Sequence, residues 1–279
     1  MRSPCSSRLH NSEGQFNAIL IVNEGKDDAL VFRSPRIPSA LQHLAGEIDL
    51  LQKLQGHTTL PVPNPIYISP SLHTLGQAFM GYRMLPGQPL WEATVQALTD
   101  EVKLDHLASQ LATFLRELHR LDTNAIGLEI PVDDPRTSWA SMYAEFRELL
   151  FPHMRPDARE RVTSNFEAYF NDASNFDYTP VLRHTDFGGS NILWNADKNT
   201  VTAIIDWTGV TLGDPAIDVA AILHMGQPFF QRMLKTYPEM EAMLPRTHFP
   251  RSTYALQEAL NGIHDHDAEA FERGIAEFR

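Results

Sequence analysis

Apolar and polar positions alternate differently in the two parts of this chain, and the difference predicts two structural regions. In the first part, short apolar runs are bounded by polar turns or proline, which is typical of strands. These predicted strands lie at residues 18–22, 29–33, 66–69 and 77–84. Between the second and the third of them, residues 40–54 carry apolar side chains three and four positions apart, which predicts an amphipathic helix.

Helical spacing dominates the second part. Leucines recur every three or four positions over residues 104–118, which predicts a long helix that ends near His119, a residue expected to pack rather than to catalyse. Further helices are predicted at residues 137–150, 156–175, 219–225, 228–237, 252–263 and 267–278. A Leu-Pro-Gly run beginning at Leu85 separates the two patterns and is the expected hinge. We therefore predict a small, mostly β lobe at residues 1–85 and a larger helical lobe at residues 86–279.

Polar side chains with the spacing of a phosphoryl-transfer centre lie within residues 183–218. Asp186 is followed five residues later by Asn191, and Asp206 comes after the next apolar run. Such a centre needs a carboxylate beside the attacking hydroxyl and two oxygen ligands that hold magnesium on the phosphates. Kinases provide a His-x-Asp, an Asn five residues after the Asp, and an Asp on a following strand. Here His184 precedes the other three residues at the matching position.

The intervening sequence predicts how the two oxygen ligands meet. Residues 192–194 and 201–207 are predicted to be strands, and the polar residues 195–199 between them predict a turn. The resulting hairpin is expected to bring Asn191 and Asp206 to the same end of the ribbon, where they can share a cation.

These motifs together resemble the aminoglycoside phosphotransferase family, antibiotic kinases with a protein-kinase-like fold, and its macrolide phosphotransferase relatives. The matching segments are His184-Thr185-Asp186, Asn191, Ile205-Asp206-Trp207, Gly213-Asp214-Pro215 and Asp218. The resemblance implies an α+β, bilobal fold in which Asp186 is the catalytic base and Asn191 and Asp206 bind Mg²⁺. It further implies that His184 and Asp218 support the catalytic loop. Thr185 departs from the family, which usually has Gly at that position.

The same resemblance implies where the phosphates of the nucleotide bind. In the kinase fold, a cation on the third strand holds the phosphates and pairs with a helix carboxylate. Arg33 takes that position, and Glu47 is its candidate partner on the predicted helix. Arg36 is the alternative cation, because Pro35 bends the end of the strand. Residues 11–17 are the candidate loop over the phosphates, with one Gly in place of the three of protein kinases.

The predicted hinge implies where the base of the nucleotide binds. By the resemblance, the base contacts the backbone of Arg83, Met84 and Leu85. Tyr82 is then expected at the back of the base pocket, where its ring leaves less room for adenine. This favours GTP over ATP as the phosphoryl donor, with ATP as the alternative. A role for Tyr82 in core packing alone is equally compatible with the sequence.

Composition and charge exclude several other classes of protein. The net charge of −12 at pH 7 argues against a nucleic-acid-binding surface and suits a cationic partner. Cys5 is the only cysteine, so an intramolecular disulfide is impossible and a reducing compartment is natural. Residues 1–12 lack the apolar region of a secretory signal, and no apolar run reaches the roughly 18 residues that a membrane span needs. We expect a cytoplasmic protein without membrane contact, as a monomer or weak dimer.

The predicted reaction transfers the γ-phosphoryl group of GTP or ATP to a hydroxyl of an antibiotic. The charge favours an aminoglycoside, a polycation that needs carboxylates in its site, over a macrolide, which needs an apolar wall. Beside Asp186, the candidate carboxylates are Glu145, Glu148, Asp265, Asp267 and Glu272. Candidate wall residues for a macrolide, which fit a core equally well, are Trp139, Phe146 and Phe229.

Two alternatives stay open at this point. One is a kinase for the hydroxyl of an ordinary metabolite, since related folds phosphorylate such compounds. The other is a nucleotide-binding pseudokinase without catalysis. The second is disfavoured because the base and both candidate metal ligands are present, whereas pseudoenzymes usually lack one of them.

Overall fold

The computed structural model describes residues 9–13 and 17–279, and its strand-rich part comes first in the chain. An antiparallel sheet with the strand order β1-β2-β3-β5-β4 forms this part. Its strands are β1 (Leu9–Glu13), β2 (Asn17–Val22), β3 (Leu30–Pro35), β4 (Tyr67–Ile68) and β5 (Met80–Arg83). Helix α1 (Pro38–Leu54) follows β3 and buries the apolar stripe that predicted it.

Of the seven residues of the predicted phosphate loop, residues 11–13 and 17 lie in strands and not in a loop, and the role of the segment stays a prediction. Residues 11–13 belong to β1 and pair with β2, because Leu9 to Glu13 stand opposite Val22 to Ala18 in register. Residues 14–16, which contain the Gly of the candidate loop, lie outside the described residues, as does Cys5.

Helices make up most of the second part, as predicted. They are α2 (Glu92–Ala97), α3 (Glu101–Arg120), α4 (Pro135–Glu145), α5 (Pro156–Asn171), α6 (Ala216–Ile222), α7 (Gln227–Met233), α8 (Leu244–His264) and α9 (Ala268–Ile275). Asp100 caps α3, since its carboxylate accepts hydrogen bonds from the backbone N–H groups of Val102 and Lys103. None of the helices in the described part of the chain has the length and apolar character needed to cross a bilayer.

Two helices differ most from the predictions, while α5 and α7 each end four residues earlier than predicted. The helix predicted at residues 137–150 changes at Phe146 to a π-helical turn that ends at Leu150. The helix predicted at residues 252–263 begins eight residues earlier, at Leu244, and contains Pro250. Proline removes one backbone donor from a helix interior. The neighbouring Phe249 stacks on Tyr169 with ring centroids 3.8 Å apart, and this contact compensates for part of the loss.

Two small sheets carry the segment that predicted the active site. Strand β7 (Val181–Arg183) pairs with β10 (Thr211–Gly213). Strand β6 (Gln88–Pro89) pairs with β8 (Ile192–Asn195), which forms the predicted hairpin with β9 (Thr200–Ile204). Strand β9 ends three residues earlier than predicted, because Asp206 has a φ of 61°, outside the extended region.

The predicted hinge itself contacts this hairpin. Gly87 has a φ of 127°, and a Cβ there would lie 2.4 Å from the Thr202 Oγ1, so only glycine fits. The hydroxyl of Thr202 donates a hydrogen bond to the carbonyl of Pro86. One hydrophobic cluster contains residues of both parts, such as Leu51 of α1 and Leu107 of α3. The division at residue 85 stays a prediction.

Candidate active site

A buried carboxylate fixes the loop that carries the predicted base. Asp218 on α6 is fully buried, and its two oxygens accept hydrogen bonds from the backbone N–H groups of His184 and Thr185, both at 2.8 Å. Burial raises the pKa of Asp218, but hydrogen bonds and nearby imidazoles outweigh that effect and hold the pKa below its usual value. Asp218 therefore stays ionised and holds both amides in place.

His119 extends this hydrogen-bond network, which the sequence analysis did not foresee. Its Nε2 lies 3.2 Å from Asp218 Oδ2, and its Nδ1 lies 3.2 Å from the hydroxyl oxygen of Tyr237. A carboxylate only accepts, so in the neutral ring Nε2 carries the proton and Nδ1 accepts from Tyr237. His119 packs in the interior as expected, but it also positions Asp218. One feature of the sequence could have indicated this role. His119 lies at the end of the leucine stripe, and a polar ring buried there needs hydrogen-bond partners.

The predicted base, Asp186, is exposed and partly oriented. Asp186 lies at the solvent-exposed end of the loop, and Asn191 Nδ2 donates to Asp186 Oδ2 at 2.7 Å and to the Asp186 carbonyl at 2.9 Å. Oδ1 of Asp186 accepts no hydrogen bond from the described residues. Thr185 has a φ of 77°, a left-handed conformation that glycine adopts readily, which explains the usual Gly of the family at this position.

The two candidate magnesium ligands lie at the same end of the hairpin. The N–H of Ile205 donates to the carbonyl of Asn191 at 2.9 Å, which places Asp206 one residue beyond that bond. The Asn191 amide nitrogen points to Asp186, which leaves its Oδ1 as an acceptor, and the Asp206 carboxylate is half exposed. These two oxygen donors fit Mg²⁺, which takes few protein ligands and completes its shell with phosphates and water. The metal role of both residues stays a prediction.

Arg33, and not Arg36, reaches the candidate metal ligand. Arg33 is 5% exposed and donates to Glu47 Oε1 at 2.6 Å and to Asp206 Oδ1 at 2.9 Å. Burial lowers the pKa of Arg33, but the carboxylates of Glu47 and Asp206 outweigh it and hold the pKa above its ordinary value. The guanidinium therefore stays charged between two carboxylates.

Thr208 completes this cluster, although no sequence motif identifies it. Its hydroxyl accepts a hydrogen bond from Arg33 NH2 at 2.8 Å and donates one to Glu47 Oε2 at 3.2 Å. Arg33 and Glu47 thus share a second connection besides their direct ion pair. We call Arg33, Glu47, Asp206 and Thr208 the phosphate-side cluster.

The residues predicted to surround the nucleotide's purine base lie at the end of β5. Tyr82 is buried opposite Val31 of β3, and burial raises the pKa of Tyr82 to about 12. Arg83 is exposed, and the N–H of Met84 donates to the carbonyl of Ala29 at 2.9 Å. Leu85 follows outside the strand. Tyr82 belongs to the main hydrophobic cluster, so both interpretations of its ring stay open.

An acidic cavity of about 660 Å³ lies beside Asp186. Its carboxylates come from the catalytic loop, α2, α8 and the start of α9: Asp186, Glu92, Glu258 and Asp267. Arg273 also lines it and is engaged with Glu258 at 2.9 Å. This cavity, which we call the acidic cavity, has an excess of negative charge next to Asp186.

Most of the predicted acceptor residues lie elsewhere. Of the five further carboxylates proposed from the sequence, only Asp267 lines the acidic cavity. Glu145 pairs with His264 at 3.2 Å, and Glu272 pairs with Arg279. The sequence analysis missed Glu92 and Glu258, since neither has a motif of its own.

The three aromatic residues proposed as a wall for a macrolide do not lie together. Phe146 and Phe229 are buried in the core, so the wall that they were proposed to form is not there. Trp139 lines a second cavity of about 300 Å³, which shares Thr185, Tyr254 and Gln257 with the acidic cavity.

Comparisons with known proteins concern the family and the fold of the chain. Residues 10–249 match the model of the phosphotransferase enzyme family. Viomycin phosphotransferase from Streptomyces vinaceus is 29% identical over 273 residues, which cover 96% of this chain and 91% of that protein. The structure of the GDP and kanamycin complex of APH(2")-IIia is similar with a TM-score of 0.85 and 27% identity, and covers 99% of this chain and 93% of that one.

A macrolide kinase shares the fold at lower identity. The structure of macrolide 2'-phosphotransferase MphH from Brachybacterium faecium has a TM-score of 0.68 and 23% identity, with 98% of this chain and 92% of that chain covered. The predicted bilobal, protein-kinase-like fold is thereby confirmed. Because the family model spans most of its length, the chain belongs to the phosphotransferase enzyme family, whose relatives described here are antibiotic kinases.

Proposed function

We propose that this enzyme transfers the γ-phosphoryl group of a purine nucleoside triphosphate to a hydroxyl of a cationic antibiotic. One observation carries the proposal: the exposed carboxylate of Asp186, oriented by Asn191, lines a cavity with three further carboxylates. The kanamycin complex of a structural neighbour and the viomycin kinase among the relatives support an acceptor with several positive charges.

The side chains suggest a division of work in the reaction. Asp186 Oδ1 accepts a hydrogen bond from the acceptor hydroxyl and takes its proton, while Asn191 keeps the other oxygen in place. The hydroxyl oxygen bonds to the γ-phosphorus as the bond from that phosphorus to the bridging oxygen breaks, and the nucleoside diphosphate leaves. Because phosphoryl transfer is largely dissociative, orienting the hydroxyl contributes more than strong basicity. Arg33 uses three N–H groups for Glu47, Asp206 and Thr208, and it contributes its positive charge to binding of the phosphates.

Asn191 and Asp206 are the residues that would hold magnesium. When bound there, Mg²⁺ neutralises negative charge on the β- and γ-phosphates. The half-exposed Asp206 carboxylate is the part of the phosphate-side cluster that can exchange its contact with Arg33 for a metal.

The donor is proposed to be GTP, with ATP as the alternative. The support is the buried ring of Tyr82 at the end of β5, beside the predicted base pocket, together with the GDP held by a structural neighbour. A cytoplasmic location and a monomeric or weakly dimeric state also stay predictions, which cell fractionation and light scattering test.

An acceptor panel tests the function. The purified enzyme is incubated with GTP or ATP and with kanamycin, viomycin, a macrolide, choline or homoserine, and the mass of each product is measured. We expect an increase of one phosphoryl group on kanamycin or viomycin, and none with Asp186→Asn. Phosphorylation of the macrolide or a metabolite alone would contradict the acceptor class, and nucleotide binding without transfer to any acceptor would favour a pseudokinase. A resistance profile of susceptible bacteria that express the chain gives the same comparison in cells.

A further inference from the structure

A second cavity lies one residue away from the reacting centre. It has a volume of about 300 Å³ and shares three lining residues with the acidic cavity, namely Thr185, Tyr254 and Gln257. Thr185 directly precedes Asp186, so a molecule at the base can extend past Thr185 into this second space. Its size is at the lower end of ligand pockets and well above the small voids of a packed interior.

The charges that line the second cavity are balanced. Arg183 pairs with Asp133 at 2.6 Å, and Arg246 pairs with Asp214 at 2.8 Å. All four residues line the cavity, and each positive charge is matched by a negative one. The acidic cavity in contrast has four carboxylates and Arg273. A cationic group therefore gains from the acidic cavity but not from the second one.

Aromatic rings form a wall of the second cavity. Trp139, Tyr169 and Tyr178 line it, and Trp139 packs edge-on against Tyr169 with ring centroids 6.2 Å apart. Burial raises the pKa of Tyr169 and of Tyr178, so their hydroxyls stay protonated and can donate or accept hydrogen bonds. Rings with apolar faces and polar edges suit an uncharged ring that carries hydroxyl or amide groups.

The cavity is also held in shape without a ligand. The Thr211 hydroxyl accepts hydrogen bonds from Arg183 Nε at 3.1 Å and from Arg183 NH2 at 3.0 Å, and Arg183 is 8% exposed. Both residues stand opposite each other in the β7–β10 pair. A site that is preformed in this way loses little free energy to ordering when it binds.

We propose that the second cavity is a subsite for an uncharged ring of the acceptor, while the cationic part of the same molecule lies in the acidic cavity. The inference rests on the proposed function and refines its substrate class: a cationic antibiotic with at least one neutral sugar or peptide ring beyond the phosphorylated one. Thr185 and Tyr254, at the junction of the two cavities, then determine which acceptors fit.

The two cavities contain separate natural fluorophores, which allow a direct test. Trp91 lines the acidic cavity and Trp139 lines the second one. In Trp91→Phe, a change of tryptophan emission on adding an acceptor reports on the second cavity, because Trp194 and Trp207 are buried in the core. We expect ribostamycin, whose ribose ring carries no amine, to change this emission, and neamine, which is the same molecule without that ribose, to leave it unchanged. The additional substitution Trp139→Phe should abolish the change.

A cavity-filling variant provides an independent kinetic test. Met142 on α4 lines the second cavity, and Met142→Trp would occupy it, whereas Ala144→Trp places the same ring on the exposed side of that helix. Since the loss of even small apolar contacts costs about tenfold in discrimination, we expect KM for a multi-ring acceptor to rise about tenfold or more in Met142→Trp. In Ala144→Trp, both the KM for the same acceptor and the turnover of nucleotide without acceptor should match wild type.

The outcomes separate this inference from the proposed function. Wild-type phosphorylation of ribostamycin, combined with unchanged emission in Trp91→Phe at saturating ribostamycin, would overturn the subsite and leave the kinase assignment intact. An unchanged KM in a folded Met142→Trp protein would do the same. The fluorescence test needs no filling substitution, so it decides the question even if Met142→Trp does not fold. No transfer by wild type to any acceptor would instead contradict the proposed function.

Discussion

Replacing Thr208 by valine tests the phosphate-side cluster most directly. Valine has nearly the shape of threonine but lacks the hydroxyl that accepts from Arg33 at 2.8 Å and donates to Glu47 at 3.2 Å. The direct ion pair between Arg33 and Glu47 at 2.6 Å remains in the variant. Any effect therefore comes from the lost hydroxyl and from the orientation that it gives to the arginine.

The structure sets the expected size of the effect. Thr208 provides the hydrogen bond to Glu47 Oε2, and Glu47 is 6% exposed, so the variant leaves a buried carboxylate oxygen without a donor. Leaving a buried polar atom unsatisfied costs about 1–3 kcal/mol, and we expect a loss of about 2 kcal/mol in the free energy of unfolding. If Arg33 also loses one charge-assisted contact to the phosphates, about 1.4 kcal/mol, nucleotide affinity falls about tenfold.

Two assays measure these effects separately. Urea unfolding gives the stability, and titration with GTP or ATP in the absence of acceptor gives the dissociation constant of the nucleotide. Thr208→Ser keeps the hydroxyl and should restore both values. Thr211→Val is the matched control, because it removes a hydroxyl that accepts from another buried arginine, Arg183, whose partners Thr211 and Asp133 are not members of the phosphate-side cluster.

The control and the variant should differ in one measurement only. We expect both Thr208→Val and Thr211→Val to be less stable than wild type, and only Thr208→Val to bind nucleotide more weakly. Wild-type nucleotide affinity in Thr208→Val would refute the idea that this hydroxyl positions Arg33 for the phosphates.

Four further predictions concern the site. Asp206→Asn should abolish turnover because it weakens a magnesium ligand; near-normal turnover at saturating Mg²⁺ would exclude that role. Tyr82→Ala should improve the use of ATP relative to GTP; unchanged relative kcat/KM values for both nucleotides would contradict a restricting ring. Because the pKa of Asp218 is lowered, its stabilisation is present above the unfolded value of about 3.9 and lost as pH falls through the folded value. Urea midpoints should therefore drop in acid, and less so in Asp218→Asn. The KM of a cationic acceptor should rise steeply between 0.1 M and 1 M salt, where the Debye length falls from about 10 Å to about 3 Å; a salt-insensitive KM would argue against attraction by carboxylates.

Short-range spacing determined the parts of this protein that the sequence predicted. Asp186 and Asn191 are five residues apart, and the hairpin between Asn191 and Asp206 follows from two apolar runs and a polar turn. Helix α1 could be predicted from its apolar spacing, and the fold class followed from the change between strand-like and helical spacing. Such features depend on neighbours along the chain, so the pattern of residues contains the information.

Tertiary structure alone decided which distant side chains meet. Arg33 contacts Thr208 across 175 positions, and His119 contacts Asp218 across 99, although neither pair has a pattern in the sequence. Glu258 lines the acidic cavity, whereas Glu272 does not line it and forms an ion pair with Arg279. Whether a carboxylate on a helix faces solvent, forms an ion pair or lines a cavity depends on the element that packs against that helix. The packing of one helix against another decides this environment, and it cannot be read from the periodicity of a single helix.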